Sequence, residues 1–96
     1  MPFGYVIAQI NITDPEAYQV YVGRVNATLA PFQGSFLVRG GTAEHFEGTP
    51  AGQRFVVIQF PTLQNAHDWY GSDEYAPVKR LRQAASVSVQ TIVQGI

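Results

Sequence analysis

The chain contains no cysteine, which excludes disulfides, thiolate metal ligands and a cysteine nucleophile together. Charge is scarce as well: Asp, Glu, Lys and Arg make up 14% of the residues, against about 25% in an ordinary soluble domain. Six Lys and Arg nearly balance seven Asp and Glu. Beyond Lys79, Arg80 and Arg82 there is no basic cluster, so the electrostatic footprint of a nucleic-acid binder is missing. His45 and His67 are the two histidines, too few for a zinc site that wants three or four protein ligands, and no metal is expected. One histidine suffices as an axial haem ligand, which the count leaves open; the expectation is a protein without cofactor. No paired carboxylates, nucleophile elbow or phosphate loop appears. No stretch approaches the ~18 apolar residues of a membrane span, and the opening Met-Pro-Phe-Gly-Tyr lacks the charged start and apolar run of a signal peptide. A cytoplasmic protein with no membrane partner is expected.

What is present is apolar: 46% of 96 residues, enough for one domain over 1–96 with one core, and too much for its polar residues to cover. Residues 3 to 12 alternate, with Val6, Ala8, Ile10 and Ile12 on one face and Tyr5, Ile7, Gln9 and Asn11 on the other, which is strand period. Thr13-Asp14-Pro15-Glu16 then starts a helix, either with Asp14 as cap and Pro15 in the first turn or with Thr13 and Glu16 as a capping box. Tyr18, Tyr21, Val25, Leu29 and Phe32 give that helix an apolar stripe to about residue 31, where Pro31 and Gly34 end it. Ser35 to Arg39 form a second strand, and Thr42 to Glu47 are expected to continue it past a bulge at Gly40-Gly41. After the Gly48 to Gly52 turn, Phe55 to Phe60 are apolar on both faces, the mark of a central strand. A second helix runs from Thr62 through Leu63, Ala66 and Tyr70 to Gly71. Residues 72 to 84 read as one helix bent at Pro77, with Tyr75, Val78, Leu81 and Ala85 inward. Val87 to Val93 close the chain as a strand with one greasier face.

The order strand, helix, strand, strand, helix, strand predicts a ferredoxin-like α+β fold, βαββαβ, in which helices cover one face of a four-stranded antiparallel sheet. The first and third strands take the middle, in keeping with their two apolar faces. Nothing in the chain covers the second face, so a homodimer packing two sheets into an α+β barrel is expected.

Several segments together resemble the bacterial family of domain of unknown function 1330: Tyr5 to Tyr18, Phe36 to Gly41, Val56 to Pro61, and Trp69-Tyr70, Ser72, Glu74-Tyr75 and Leu81-Arg82. The resemblance spans nearly the whole chain and implies a dimeric ferredoxin-like barrel with no settled activity. Related barrels include cofactor-free monooxygenases, lactone isomerases, and dye-decolourising and haem-binding enzymes, a fold-level analogy that licenses no reaction. Pro77 departs from the family pattern.

Arg39 followed by Gly40 and Gly41 is the first candidate site: a planar donor fork for an oxyanion beside backbone that admits close approach. Arg82 is its expected partner in one cleft, with Trp69 and Tyr75 as an aromatic wall. The expected ligand is a small anionic or aromatic metabolite. A non-catalytic dimeric assembly or sequestering module, and a cofactor-free monooxygenase or isomerase, are the alternatives. The plainer reading makes Arg39 solvated, pairs Arg54 and Arg82 with Glu44, Glu47 or Glu74, and puts Trp69 and Tyr70 in the core. Tyr18 reads as amphipathic core that can reach the same cleft, and His45 as a solvated hairpin residue.

Overall fold

The opening alternation forms strand β1 (Gly4–Ile12) in the computed structural model, which describes residues 1–96. Val6, Ala8 and Ile10 are buried, while Tyr5, Ile7 and Gln9 on the opposite face are half-buried. Of the two helix starts, the Asp14 cap is used: its Oδ1 accepts from the Ala17 N–H at 3.2 Å, and Pro15 opens helix α1 (Pro15–Leu29), where a missing N–H costs nothing. The stripe Tyr18, Tyr21, Val25 and Leu29 is buried. A 3₁₀ turn over Ala30–Phe32 follows, and Gln33 leaves it with a left-handed φ of 60°.

Strand β2 (Ser35–Arg39) pairs with β3 (Arg54–Phe60). The bulge lies earlier than expected, between Phe36 and Val38, and residues 42–47 form no strand. Gly40 explains both the stop and its place. Its N–H donates to the Phe55 carbonyl at 2.8 Å, and its left-handed φ of 71° then turns the chain off the ladder. On the return, Ala51 N–H donates to Gln9 Oε1 at 2.9 Å. Gly52 crosses so close to the Ile10 backbone that a Cβ would collide with it.

Thr62 caps helix α2 (Leu63–Tyr70), its hydroxyl accepting from Asn65 N–H. Residues 72 to 84 are not one bent helix. The chain turns through residues 71–75, and a separate helix α3 (Ala76–Ala85) begins with Pro77 in its first turn. Proline has no N–H to give there and none is needed, so Pro77 starts a helix rather than kinking one. Ser72 ties the two helices together, its Oγ donating to the Trp69 carbonyl and accepting from Tyr75 N–H.

Strand β4 (Ser86–Gln94) completes an antiparallel sheet of order β2-β3-β1-β4. The expected ferredoxin-like α+β fold forms, with β1 and β3 central. One core cluster lies between sheet and helices, and Trp69, Tyr18, Tyr75 and Phe60 are its largest fully buried members. The molecule is a slab, 33 × 32 × 17 Å. No helix is long and apolar enough to cross a membrane.

β4 inverts the usual polarity of an amphipathic strand. Ser86, Ser88 and Gln90 are in register with Ile12, Ile10 and Ala8, so they share the helix-covered face. Val87, Val89 and Val93 share the uncovered face with Asn11, Gln9 and Tyr5, and Val87 and Val89 are 66% and 49% exposed. Over Ser86 to Gln90 the greasy side of β4 thus points away from the core and the hydroxyl and amide side chains point under the helices; beyond it Thr91 lies on the uncovered face and Ile92 returns to the core opposite Val6.

Candidate functional site

Arg82 sits where a helix of this amphipathicity would ordinarily carry leucine. Val78, Arg82 and Ala85 are the buried positions of α3, spaced four and three apart on one face, and Leu81 is only half-buried. Arg82 as a residue is 3% exposed. Its Nε donates to Tyr75 OH at 3.3 Å, Nη1 to Ser88 Oγ at 2.9 Å and Nη2 to Tyr70 OH at 3.2 Å. Pairing with Glu44, Glu47 or Glu74 does not occur; every hydrogen-bond partner is an uncharged hydroxyl. Burial alone acts to lower the Arg82 pKa, but Tyr75, Tyr21 and Tyr70 outweigh it and the net shift is upward, so the side chain remains a cation. A buried cation without a counter-ion carries a desolvation cost of several kcal/mol that neutral hydroxyls offset only in part.

Beside it opens a cleft of about 300 Å³ lined by Tyr70, Arg82, Gln83, Ser86, Ser88 and Gln90. Gln90 Nε2 donates to Ser88 Oγ at 3.0 Å, and Ser86 Oγ donates to the Arg82 carbonyl at 2.6 Å. A second cation stands at Tyr70: Lys79 Nζ is 4.5 Å from its ring centroid and donates to its carbonyl at 3.1 Å. The lining contains no carboxylate and no histidine. Trp69 and Tyr75 stack at 4.0 Å, but each is 1% exposed and neither lines the cleft. They back the cleft from the core, and Tyr75 meets Arg82 through its hydroxyl.

The structure brings Trp69, Tyr75 and Arg82 together and leaves Arg39 apart, because β2 and β4 are opposite edges of the sheet. Arg39 Nη2 donates to the Val22 carbonyl at 2.9 Å and Nη1 to Asn26 Oδ1 at 3.4 Å, with the guanidinium 4.3 Å above the Phe36 ring. It clamps the edge strand to α1. Gly40 lies against the Arg54 guanidinium, where a Cβ would collide, whereas Gly41 faces open space. Arg54 stands 5.5 Å above the Tyr18 ring, and its Nε is buried without a partner. His45 packs on the Phe55 ring at 5.4 Å, and no three His, Cys, Asp or Glu side chains come together.

A family model described as domain of unknown function (DUF1330) matches residues 3–96. The chain belongs to this DUF1330 family. Among solved structures it is similar to a protein of unknown function from Rhodopseudomonas palustris, at 13% identity and a TM-score of 0.79, covering 99% of this chain and 83% of that one. It is also similar to SnoaB, a cofactor-independent oxygenase from Streptomyces nogalater, at 11% identity and a TM-score of 0.63, covering 100% and 95%. A third, an antibiotic biosynthesis monooxygenase, is 13% identical with a TM-score of 0.54, covering 97% and 96%. At such identities the likeness concerns the fold alone. No curated protein matches the chain.

Within this DUF1330 member, the residues that complete the cleft, Gln83, Ser86, Ser88 and Gln90, were not among the sequence candidates. For the three on β4 the signal was parity, since the serines and glutamine of the last strand alternate against its valines; Gln83, on α3, gave none. The tyrosines behind Arg82 give a pH prediction. Burial, reinforced by Tyr75, holds Tyr21 far above the ordinary phenol range, and burial raises Tyr18 against the opposing pull of Arg54 and Arg82. A phenol whose folded pKa is raised gives stability that is complete below the unfolded pKa near 10 and is lost above it, since the unfolded chain then releases its proton first. Each such phenol should remove about 1.4 kcal/mol per pH unit from about pH 10 up to its own folded pKa. Ultraviolet difference titration of the wild type against Tyr21→Phe should show the Tyr21 phenol ionising only together with loss of circular dichroism; its ionisation in the folded protein would contradict the burial.

Proposed function

We propose that this DUF1330 protein is a homodimeric small-molecule binder that holds a small oxyanion in the cleft at Arg82. One observation carries the ligand: a buried guanidinium whose three protein partners are all uncharged hydroxyls. An anion in the cleft gains an attraction that no protein group supplies, in surroundings where water screens it weakly. The absence of any carboxylate or histidine from the lining supports holding a ligand rather than moving its protons.

The test is a thermal-shift screen of small carboxylates and inorganic oxyanions on wild type, Arg82→Lys and Arg82→Met. Methionine fills the buried volume without a charge, a replacement that is often neutral or stabilising, so the fold should survive. At 100-fold excess over Kd a ligand stabilises the wild type by about 2.7 kcal/mol, roughly 10–20 °C for a domain of this size. The shift should shrink in Arg82→Lys, which loses the planar fork, and vanish in Arg82→Met. Equal shifts in all three proteins would place the ligand elsewhere.

The dimer rests on the uncovered sheet face. Cross-strand neighbours line up Val38, Val57, Ile7 and Thr91 in one row, and Phe55, Gln9 and Val89 in the next. Tyr5 and Val93 extend it. No residue in these rows is charged, so a two-fold axis can bring the face against its own copy without like-charge repulsion. At ~25 cal/mol per Å² of apolar surface, sheet-to-sheet packing is the natural cover for a slab this thin.

A further inference from the structure

Around the Arg82 guanidinium the cleft carries hydrogen-bond donors that the protein leaves without acceptors, and their grouping has the shape of a ligand. A guanidinium carries five N–H groups. Arg82 commits one from each nitrogen, to Tyr75, Ser88 and Tyr70, which leaves one on Nη1 and one on Nη2. The Ser88 hydroxyl accepts twice, from Arg82 Nη1 and from Gln90 Nε2; both lone pairs are occupied, and its own proton has no acceptor in the protein. Tyr70 OH accepts from Arg82 Nη2, and its proton is likewise unclaimed. Two N–H groups and two hydroxyls on residues lining one cleft thus have no acceptor within the protein. An ionised carboxylate is their complement: two coplanar oxygens with about four lone-pair sites and no donor.

The charge of that ligand follows from where the cleft lies. Arg82 and Gln83 belong to the last turn of α3 (Ala76–Ala85), and a helix C-terminus carries partial negative charge. Lys79 is engaged by the Tyr70 carbonyl and does not line the cleft, so the single guanidinium in the lining suits one negative charge and leaves the second charge of a phosphate dianion unmatched. Its body follows from the rest of the lining. Tyr70 is the one aromatic ring, and Gln83, Ser86 and Gln90 are neutral and polar, with amide carbonyls able to accept from a ligand hydroxyl. From these counts we infer that the cleft binds a small hydroxylated monocarboxylate. This rests on the oxyanion reading of the same site and narrows it.

Isothermal titration of the purified protein with glycerate, propionate, benzoate and inorganic phosphate tests the inference. Glycerate should bind at least about tenfold tighter than propionate, because the hydroxyl-lacking analogue leaves polar groups unpaired. Phosphate and benzoate should bind more weakly still. Gln90→Leu, at an edge position where the fold should tolerate it, should reduce the advantage of glycerate over propionate to about twofold. Propionate binding as tightly as glycerate would overturn the hydroxylated class and leave the oxyanion reading standing. Tighter binding of phosphate or benzoate would overturn the monocarboxylate or the polar body respectively, again with Arg82 intact as anchor. No binding of any of the four with Kd below about 10 mM would remove both readings.

Discussion

Trp69→Ala is expected to lower the stability of the protein by about 3–5 kcal/mol, the range for emptying a large buried aromatic site. Against a total of about 5–15 kcal/mol for a domain, that leaves a protein near the edge of folding, with a Tm lower by roughly 15–30 °C. Trp69 is fully buried, stacks on Tyr75 at 4.0 Å and approaches Phe60 at 5.6 Å and Tyr70 at 6.0 Å. Its Nε1 donates to Thr28 Oγ1 at 3.0 Å, and that hydroxyl donates to the Val25 carbonyl at 2.6 Å. The side chain thus fills the space between α1 and α2 and closes a polar relay inside it. Trp69→Phe separates the two roles: it keeps most of the stacking and loses one hydrogen bond, which should cost about 1–2 kcal/mol. Since the protein has one tryptophan, unfolding should be followed by circular dichroism in denaturant. A loss below about 1 kcal/mol for the alanine variant, as at a surface site, would show that the ring does not hold the helices together.

The elements were legible in the sequence because their signals are local. Alternation from Tyr5 to Ile12, the Asp14-Pro15 helix start and the two-faced strand at Phe55 to Phe60 each depend on a few neighbouring residues, and each formed where expected. Pro77 was legible as a break, but whether it kinks one helix or begins another depends on Ser72 closing the turn onto Trp69 and Tyr75, a choice that the proline itself does not encode. The extension past Gly40 failed for a similar reason: the pair Gly40-Gly41 permits a bulge or an exit, and only the register with Phe55 decides.

The candidate site was legible in part. Arg82, Trp69 and Tyr75 do assemble, because helical spacing places them on the inner faces of α2 and α3 and the turn between those helices. Arg39 stood out by its glycines, yet conformational freedom in a backbone says nothing about where the side chain goes. Its donors are taken by Val22 and Asn26 on α1. Ser86, Ser88 and Gln90 were hidden by a convention, namely that the apolar side of an edge strand faces the core. In β4 the convention reverses, and the single reversal has two consequences. It lines a polar cleft under the helices, and it adds valines to the far side of the sheet.

That far side, which β4 shares with β3, makes the assembly testable. Val57 lies near the middle of the uncovered face, opposite Ile7 on β1 and Val38 on β2, and it is half-buried in the single chain. Val57→Asp should therefore leave the monomer folded, with the carboxylate reaching water, while the assembled dimer would have to desolvate it. The two-fold axis doubles the penalty, since each copy brings its own charge to the same contact. At several kcal/mol per uncompensated buried ion, the dimer constant should weaken by at least about 10³-fold, each 1.4 kcal/mol being tenfold. Sedimentation equilibrium should give twice 10.6 kDa for the wild type and 10.6 kDa for the variant. Gln19→Glu, on the exposed side of α1, should change nothing. A wild type that stays at 10.6 kDa at micromolar concentration, or a Val57→Asp protein that stays dimeric, would mean that a second copy does not cover this face.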